Sequence, residues 1–159
     1  MAVNKIRIRS GTEYVIEVND AGETISFDLA DTSLPSKLFK MMDRVEELTS
    51  EIDAKAKEID ALPDKTVKTI GDVNVSQKQM EGAQLMDDYF IRVREALDIF
   101  LGEGACQKIF GDKNYYSMVG DLMEQLEPHF KKIGLTAEQV KKAAVAKHAP
   151  NRAVRRTMS

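Results

Sequence analysis

Residues 33–62 read SLPSKLFKMMDRVEELTSEIDAKAKEIDAL, and Leu38, Met41, Val45, Leu48, Ile52, Ile59 and Leu62 recur along them at alternating spacings of three and four, broken only by Lys55. That period draws one apolar seam down a long helix and leaves Glu, Asp and Lys on its other side. Ser33 is placed to cap the helix and Pro35 to start it, because proline has no amide hydrogen for the first turn to leave unbonded. Pro63 stops it. A seam this narrow is more often an ordinary core stripe than an intermolecular coiled coil. Its later part nevertheless needs a partner, since it extends beyond the reach of a small sheet.

Downstream, residues 63–75 read as a polar connection that includes Gly71-Asp72. Ser76 followed by Gln79 then forms a capping box for a second long helix, lined on one side by Met80, Ala83, Met86, Phe90, Val93, Leu97 and Phe100. Two long amphipathic helices joined by a loop predict an antiparallel hairpin. Gly102 and Gly104 end the second helix, and a brief turn over 105–110 is closed by Gly111. After Asp112 a third helix carries Tyr115, Val119, Leu122, Met123, Leu126 and Phe130, with Pro128 expected to bend or end it. Thr136 and Gln139 cap a last helix that runs to about His148.

Upstream, the period changes to two. Ile6 and Ile8, then Tyr14, Ile16 and Val18, then Ile25, Phe27 and Leu29 alternate with charged or small residues, and turn residues stand at Ser10-Gly11 and at Asn19 to Gly22. This predicts a three-stranded antiparallel meander whose single apolar face the first helix covers. The expected class is therefore α+β. Residues 1–148 form a single domain, with a small antiparallel sheet over 1–32 and a helical hairpin or bundle over 33–148, and residues 149–159 form a flexible basic tail.

The charge is divided along the chain. Its formal net charge is −3, yet from Gln139 to the end there are six Lys and Arg and no acid, which leaves 17 basic against 26 acidic residues before that point. An acidic body with a basic end suits an interaction protein, because the end can meet an acidic partner, a nucleic acid or the body of a second copy. No run of eighteen apolar residues occurs, and the first ten residues lack the hydrophobic core of a signal peptide. The reading is a cytoplasmic protein with no membrane partner.

Little in the sequence points to chemistry. Cys106 is the lone cysteine, so neither an internal disulfide nor a cysteine-based metal cluster can form within one chain, and it reads as a packed core thiol. His129 and His148 stand apart with no second ligand at helical spacing and read as solvated surface residues. The segment GEGACQKIFG, 102–111, lacks the Lys-Ser/Thr that a phosphate loop requires and follows a helix rather than a strand. Glu51, Asp53, Glu58 and Asp60 are interleaved with Lys55 and Lys57 as on a solvated face. Phe110, Tyr115 and Tyr116 with Lys108 and Lys113 are the one aromatic and basic cluster, but Asp112 lies inside it and the body is acidic, which disfavours nucleic acid as a partner. No catalytic, cofactor-binding or metal-binding residue is assigned, and the chain reads as a non-enzyme.

Two segments resemble a known family. LDIFLGEGACQKIFGDKNYY, 97–116, is similar to the helix end and Phe-Gly turn of small proteins encoded between the tail-tube and tape-measure genes of tailed phages and prophages of Gram-positive hosts. The terminal PNRAVRR, 150–156, resembles the Asn-Arg-Ala-x-Arg-Arg ending frequent among tail assembly chaperones, departing from it at Val154, where glutamine is common. VIEVNDAGETISFDLADTSLP, 15–35, matches the strand pair and helix start of such proteins. The resemblance implies a chaperone that keeps the tape-measure protein soluble during tail assembly and helps recruit tail-tube subunits; a second copy, giving a homo-oligomer, is the other candidate partner. Leu97, Phe100, Leu101, Ile109 and Phe110 are the expected apolar partner contacts, and Arg152, Arg155 and Arg156 the expected contacts of the tail. The alternatives are a nucleic-acid-associated or regulatory phage protein acting through that tail, and a structural tail component that self-associates through the first helix seam.

Overall fold

A computed structural model describes residues 3–6 and 12–135. The chain runs β1 (Glu13–Glu17), β2 (Thr24–Asp28), α1 (Leu34–Asp60), β3 (Thr66–Ile70), β4 (Val73–Ser76), α2 (Gln77–Leu101), α3 (Ala105–Phe110) and α4 (Met118–Phe130). The class is α+β. Two separate two-stranded antiparallel sheets, β1–β2 and β3–β4, take the place of the expected three-stranded meander.

The predicted pairing of the second and third strands forms, with Tyr14 opposite Phe27 and Ile16 opposite Ile25. The turn between them is held by Asn19, whose side-chain oxygen accepts from the Glu23 amide at 3.1 Å, and by Gly22 at φ +79°. The expected first strand is the error. Residues 3–6 carry no strand, Ile6 is 94% exposed, and Ile8 lies outside the described residues. A third strand would extend the sheet at the β1 edge, where its apolar side chains need a layer behind them to pack on, and Ile6 has none. Phe27 meets Phe100 with ring centroids 5.2 Å apart, and Phe100 meets Phe130 at 6.4 Å.

Residues 63–75, read as a polar connection, instead form most of the β3–β4 hairpin. Gly71 at φ +59° occupies the first place of the two-residue turn between Ile70 and Val73, where a positive φ lets the turn match the strand twist. Thr66, Val67, Thr69, Ile70, Val73 and Val75 supply the β-branched residues that favour strands.

Both long helices begin close to their expected starts, but the caps differ. Ser76 and Gln79 make the full reciprocal capping box. Ser33 makes no capping bond; its amide donates to the Asp31 carboxylate at 2.8 Å, and its hydroxyl and Lys37 Nζ donate to the same group. The Ser33 bonds, assisted by Lys37, hold the Asp31 carboxyl down at about 2 against an ordinary 3.8. The third long helix starts at Met118 rather than just after Asp112, so Tyr115 stands in the preceding turn, and Pro128 sits in its last turn. The expected helix to His148 and the tail over 149–159 lie outside the described residues.

The core gathers Leu38, Met41, Val45 and Leu48 from α1, Val93, Leu97 and Phe100 from α2, and Leu122, Leu126 and Phe130 from α4, closed by Ile25 and Phe27 of the sheet. No buried side-chain nitrogen or oxygen among the described residues lacks a hydrogen-bond partner. All of this core sits at one end of the helical hairpin.

Candidate functional site

The other end of the hairpin is hollow. Leu48 is the last buried residue of α1 and Phe90 the first buried residue of α2, so every residue from Thr49 to Tyr89 is at least partly exposed. The two helices run antiparallel through this region. Near its base Thr49 Oγ1 lies 3.4 Å from the Tyr89 hydroxyl, and Arg92 pairs with Glu51 at 3.6 Å. Beyond that point small residues interrupt the larger apolar ones, Ile52 and Ile59 on α1 and Met86 on α2. Ala56 on α1 and Gly82 and Ala83 on α2 stand where the core end carries Met41, Val45, Val93 and Leu97.

Small residues on facing helices leave an open cleft of about 820 Å³. Its walls are Ile52, Asp53, Ala56, Ile59 and Asp60 on α1 and Lys78, Gly82, Ala83, Leu85, Met86 and Tyr89 on α2, with Tyr116 at its edge. A Cβ placed on Gly82 would meet no atom within 4 Å. Tyr116 is 88% exposed and touches the protein by an edge-on contact with Phe90 at 6.3 Å. The hairpin β3–β4 caps the tip of this arm and turns Val67, Ile70 and Val73 to solvent. The segment 49–89 contains nine Asp and Glu and five Lys, which makes the arm acidic. A smaller cavity of about 210 Å³ lies at the core end, between Ile16 and Val18 of the sheet region and Leu122, Gln125 and His129 of α4.

The residues expected to contact a partner fall elsewhere. Leu97, Phe100 and Leu101 are buried at 3% exposure or less. They offer no surface in this conformation, because their side of α2 faces the sheet and α4 rather than solvent. Ile109 and Phe110 are half-buried against the same core, with the Arg94 guanidinium 5.9 Å from the Phe110 ring centre. Arg152, Arg155 and Arg156 lie outside the described residues.

The remaining candidate side chains have structural employment. Cys106 is buried and its thiol donates to the Arg94 carbonyl at 3.6 Å. Burial first, and then the neighbouring Asp98, push that thiol far above its ordinary value, and a thiol kept protonated is a poor nucleophile at neutral pH. His129 is half-buried rather than solvated, sharing a hydrogen bond of 2.6 Å with the Tyr14 hydroxyl that ties α4 to β1. Lys108 Nζ donates to the Thr24 carbonyl at 3.1 Å, and its own carbonyl accepts from Asn19, so the aromatic and basic cluster is split between a structural tie and the edge of the cleft. Among the described residues no three His, Cys, Asp or Glu are placed to hold a metal ion, and no helix is long and apolar enough to cross a membrane.

Sequence reasoning named the later seam as unpartnered but did not locate the cleft. The signal available was Ala56 in α1 set against the adjacent Gly82 and Ala83 in α2.

Comparison with protein families matches residues 21–159 to a family of unknown function (DUF6673), a span that includes both walls of the cleft. No curated protein and no solved structure matches the chain.

Proposed function

The chain belongs to that family, which brings no activity with it, and we propose that it is a non-enzymatic tail assembly chaperone of a tailed phage or prophage. It works in the cytoplasm of the bacterial host, holds the tape-measure polypeptide soluble, and helps recruit tail-tube subunits. One observation carries the reading: two long helices continue past their core without burying a single residue from Thr49 to Tyr89 and leave an apolar-floored cleft between them. A chain that needed its helices only for its own fold would gain nothing from that extension, since a helix derives most of its stability in a protein from packing its apolar face. The resemblance of residues 97–116 and 150–156 to tail assembly chaperones supplies the partner. A methionine and an aromatic on the cleft wall, Met86 and Tyr89, suit an adaptable contact, and the acidic exterior favours solubility of a loaded complex. The basic end, with Arg152, Arg155 and Arg156, is the part assigned to tube subunits.

The test is co-expression with the tape-measure protein of the same gene cluster. The reading expects that protein to stay soluble and to co-purify with the chain. Unchanged solubility and no co-purification would remove it.

A further inference from the structure

We propose that the cleft between α1 and α2 takes one amphipathic α-helix of about three turns, with Lys or Arg along its flanks, so that the hollow arm becomes a three-helix bundle. The inference deepens the chaperone reading and takes from it only the identity of the client.

The backbone argument fixes the occupant's conformation. Apart from Tyr116, every residue lining the cleft lies on a helix, and away from the first turn of α2 and the last turn of α1 its amides and carbonyls are already paired four residues along their own chain. Such walls have no edge with which to bind an extended strand. A strand laid there would bury unpaired backbone groups, at about 1–3 kcal/mol each. A helix brings its backbone already satisfied and needs only side-chain complementarity.

The dimensions set its length. The open part of α1, from Thr49 to Asp60, is about 18 Å long at 1.5 Å per residue, which matches roughly three turns of a partner. Ala56, Gly82 and Ala83 form a floor low enough for large apolar side chains, and Leu85 and Met86 flank it. Charge sets the flanks. Asp53 and Asp60 on one wall face Lys78 on the other, and the arm as a whole holds nine acids against five lysines. An acidic partner is therefore opposed and a basic one attracted. A second copy fits poorly for two reasons: it brings the same acidic excess, and a two-fold contact would set hollow against hollow and fill neither.

The probe is a pair of synthetic fourteen-residue Leu/Lys peptides of identical composition, one with leucine at helical spacing and one alternating, titrated against the full chain by fluorescence anisotropy. The helical isomer is expected to bind saturably and at least about tenfold more tightly than the alternating one. Ala56→Leu with Ala83→Leu fills the floor with good helix formers, and is expected to abolish that binding while leaving the circular dichroism spectrum and melting temperature intact or improved. Asp53→Lys with Asp60→Lys should weaken binding and flatten its salt dependence.

Equal binding of the two isomers overturns the proposal, and so does undiminished binding by the filled variant. Sedimentation showing a dimer that excludes the peptide would give the cleft to a second copy. Binding that appears only after Arg152, Arg155 and Arg156 are changed to Glu would give it to the chain's own C-terminal segment. If the tape-measure protein co-purifies with the filled variant as before, the chaperone role stands and this site falls. If the helical peptide binds while the tape-measure protein does not co-purify, the site stands and the chaperone role falls.

Discussion

The two halves of the α1–α2 hairpin share helices, period and direction, yet one is a sealed core and the other an open cleft. At the core end Leu38, Met41, Val45 and Leu48 meet Val93, Leu97 and Phe100 under a third layer made by β1–β2 and α4. At the far end the same seam mixes Ile52, Ile59 and Met86 with the small Ala56, Gly82 and Ala83, and among the described residues it has no third layer, only a two-stranded hairpin at the tip. The difference shows that an amphipathic period specifies which side a helix will bury and not whether it has anything to bury it against. Two helices alone leave the flanks of their shared seam open to water; a third layer is needed to enclose it, and burial of each large side chain then contributes about 1.5–3 kcal/mol.

The contrast can be broken most directly with one substitution made twice. Leu97→Ala is expected to cost about 2–5 kcal/mol in denaturant unfolding, because Leu97 is fully enclosed and its removal leaves a cavity. Leu85→Ala, the same change on the same helix, should cost about 1 kcal/mol or less beyond any shared propensity effect, since its surroundings are open. Equal costs would mean that the far half is packed in solution. The lone Cys106 gives a second reading of the same pair. Its alkylation requires the core end to open, so Leu97→Ala should speed labelling by roughly thirtyfold or more, and Leu85→Ala by less than about tenfold.

A change of opposite sign sharpens the comparison. Gly82→Ala should stabilise the chain by about 0.5–1 kcal/mol, because glycine lowers the stability of a helix interior and the added methyl meets open space. A loss of stability in thermal melts would show that the wall is closer than the cleft implies.

The smallest effect lies at the entry to α1. The Asp31 carboxyl is held at about 2 by Ser33 and Lys37, so the contribution of its charged form is complete above its ordinary 3.8 and is lost as pH falls through about 2. Asp31→Asn should flatten the part of the pH–stability curve that lies between those values and leave the curve unchanged in shape near neutrality. Retention of the same acid limb would assign that limb to other carboxylates.

Much of this architecture is legible in the residues. The seam from Leu38 to Leu62 and the Ser76–Gln79 box announce both long helices, and the alternation of Tyr14, Ile16, Ile25 and Phe27 announces the paired strands. The missed β3–β4 hairpin was also written there, in β-branched residues on both sides of Gly71-Asp72, but its lysines and threonines resemble those of a loop. Ile6 misled for the opposite reason, since alternation alone does not supply a surface for a strand to pack on. The cleft was the least legible feature. Leu97, Phe100 and Leu101 are the most apolar part of α2 and drew attention as a contact surface, whereas apolar strength more often marks what a chain hides in its own core.

By itself the sequence determined the two long helices and the β1–β2 pair, because helix and strand periods, caps and turn residues act over a few neighbouring positions. Only the tertiary structure decided which stretch of the seam is enclosed and which is left open, because enclosure depends on where β1–β2 and α4 come to rest against the hairpin. Those contacts join residues as far apart as Tyr14 and His129, and no local pattern encodes them.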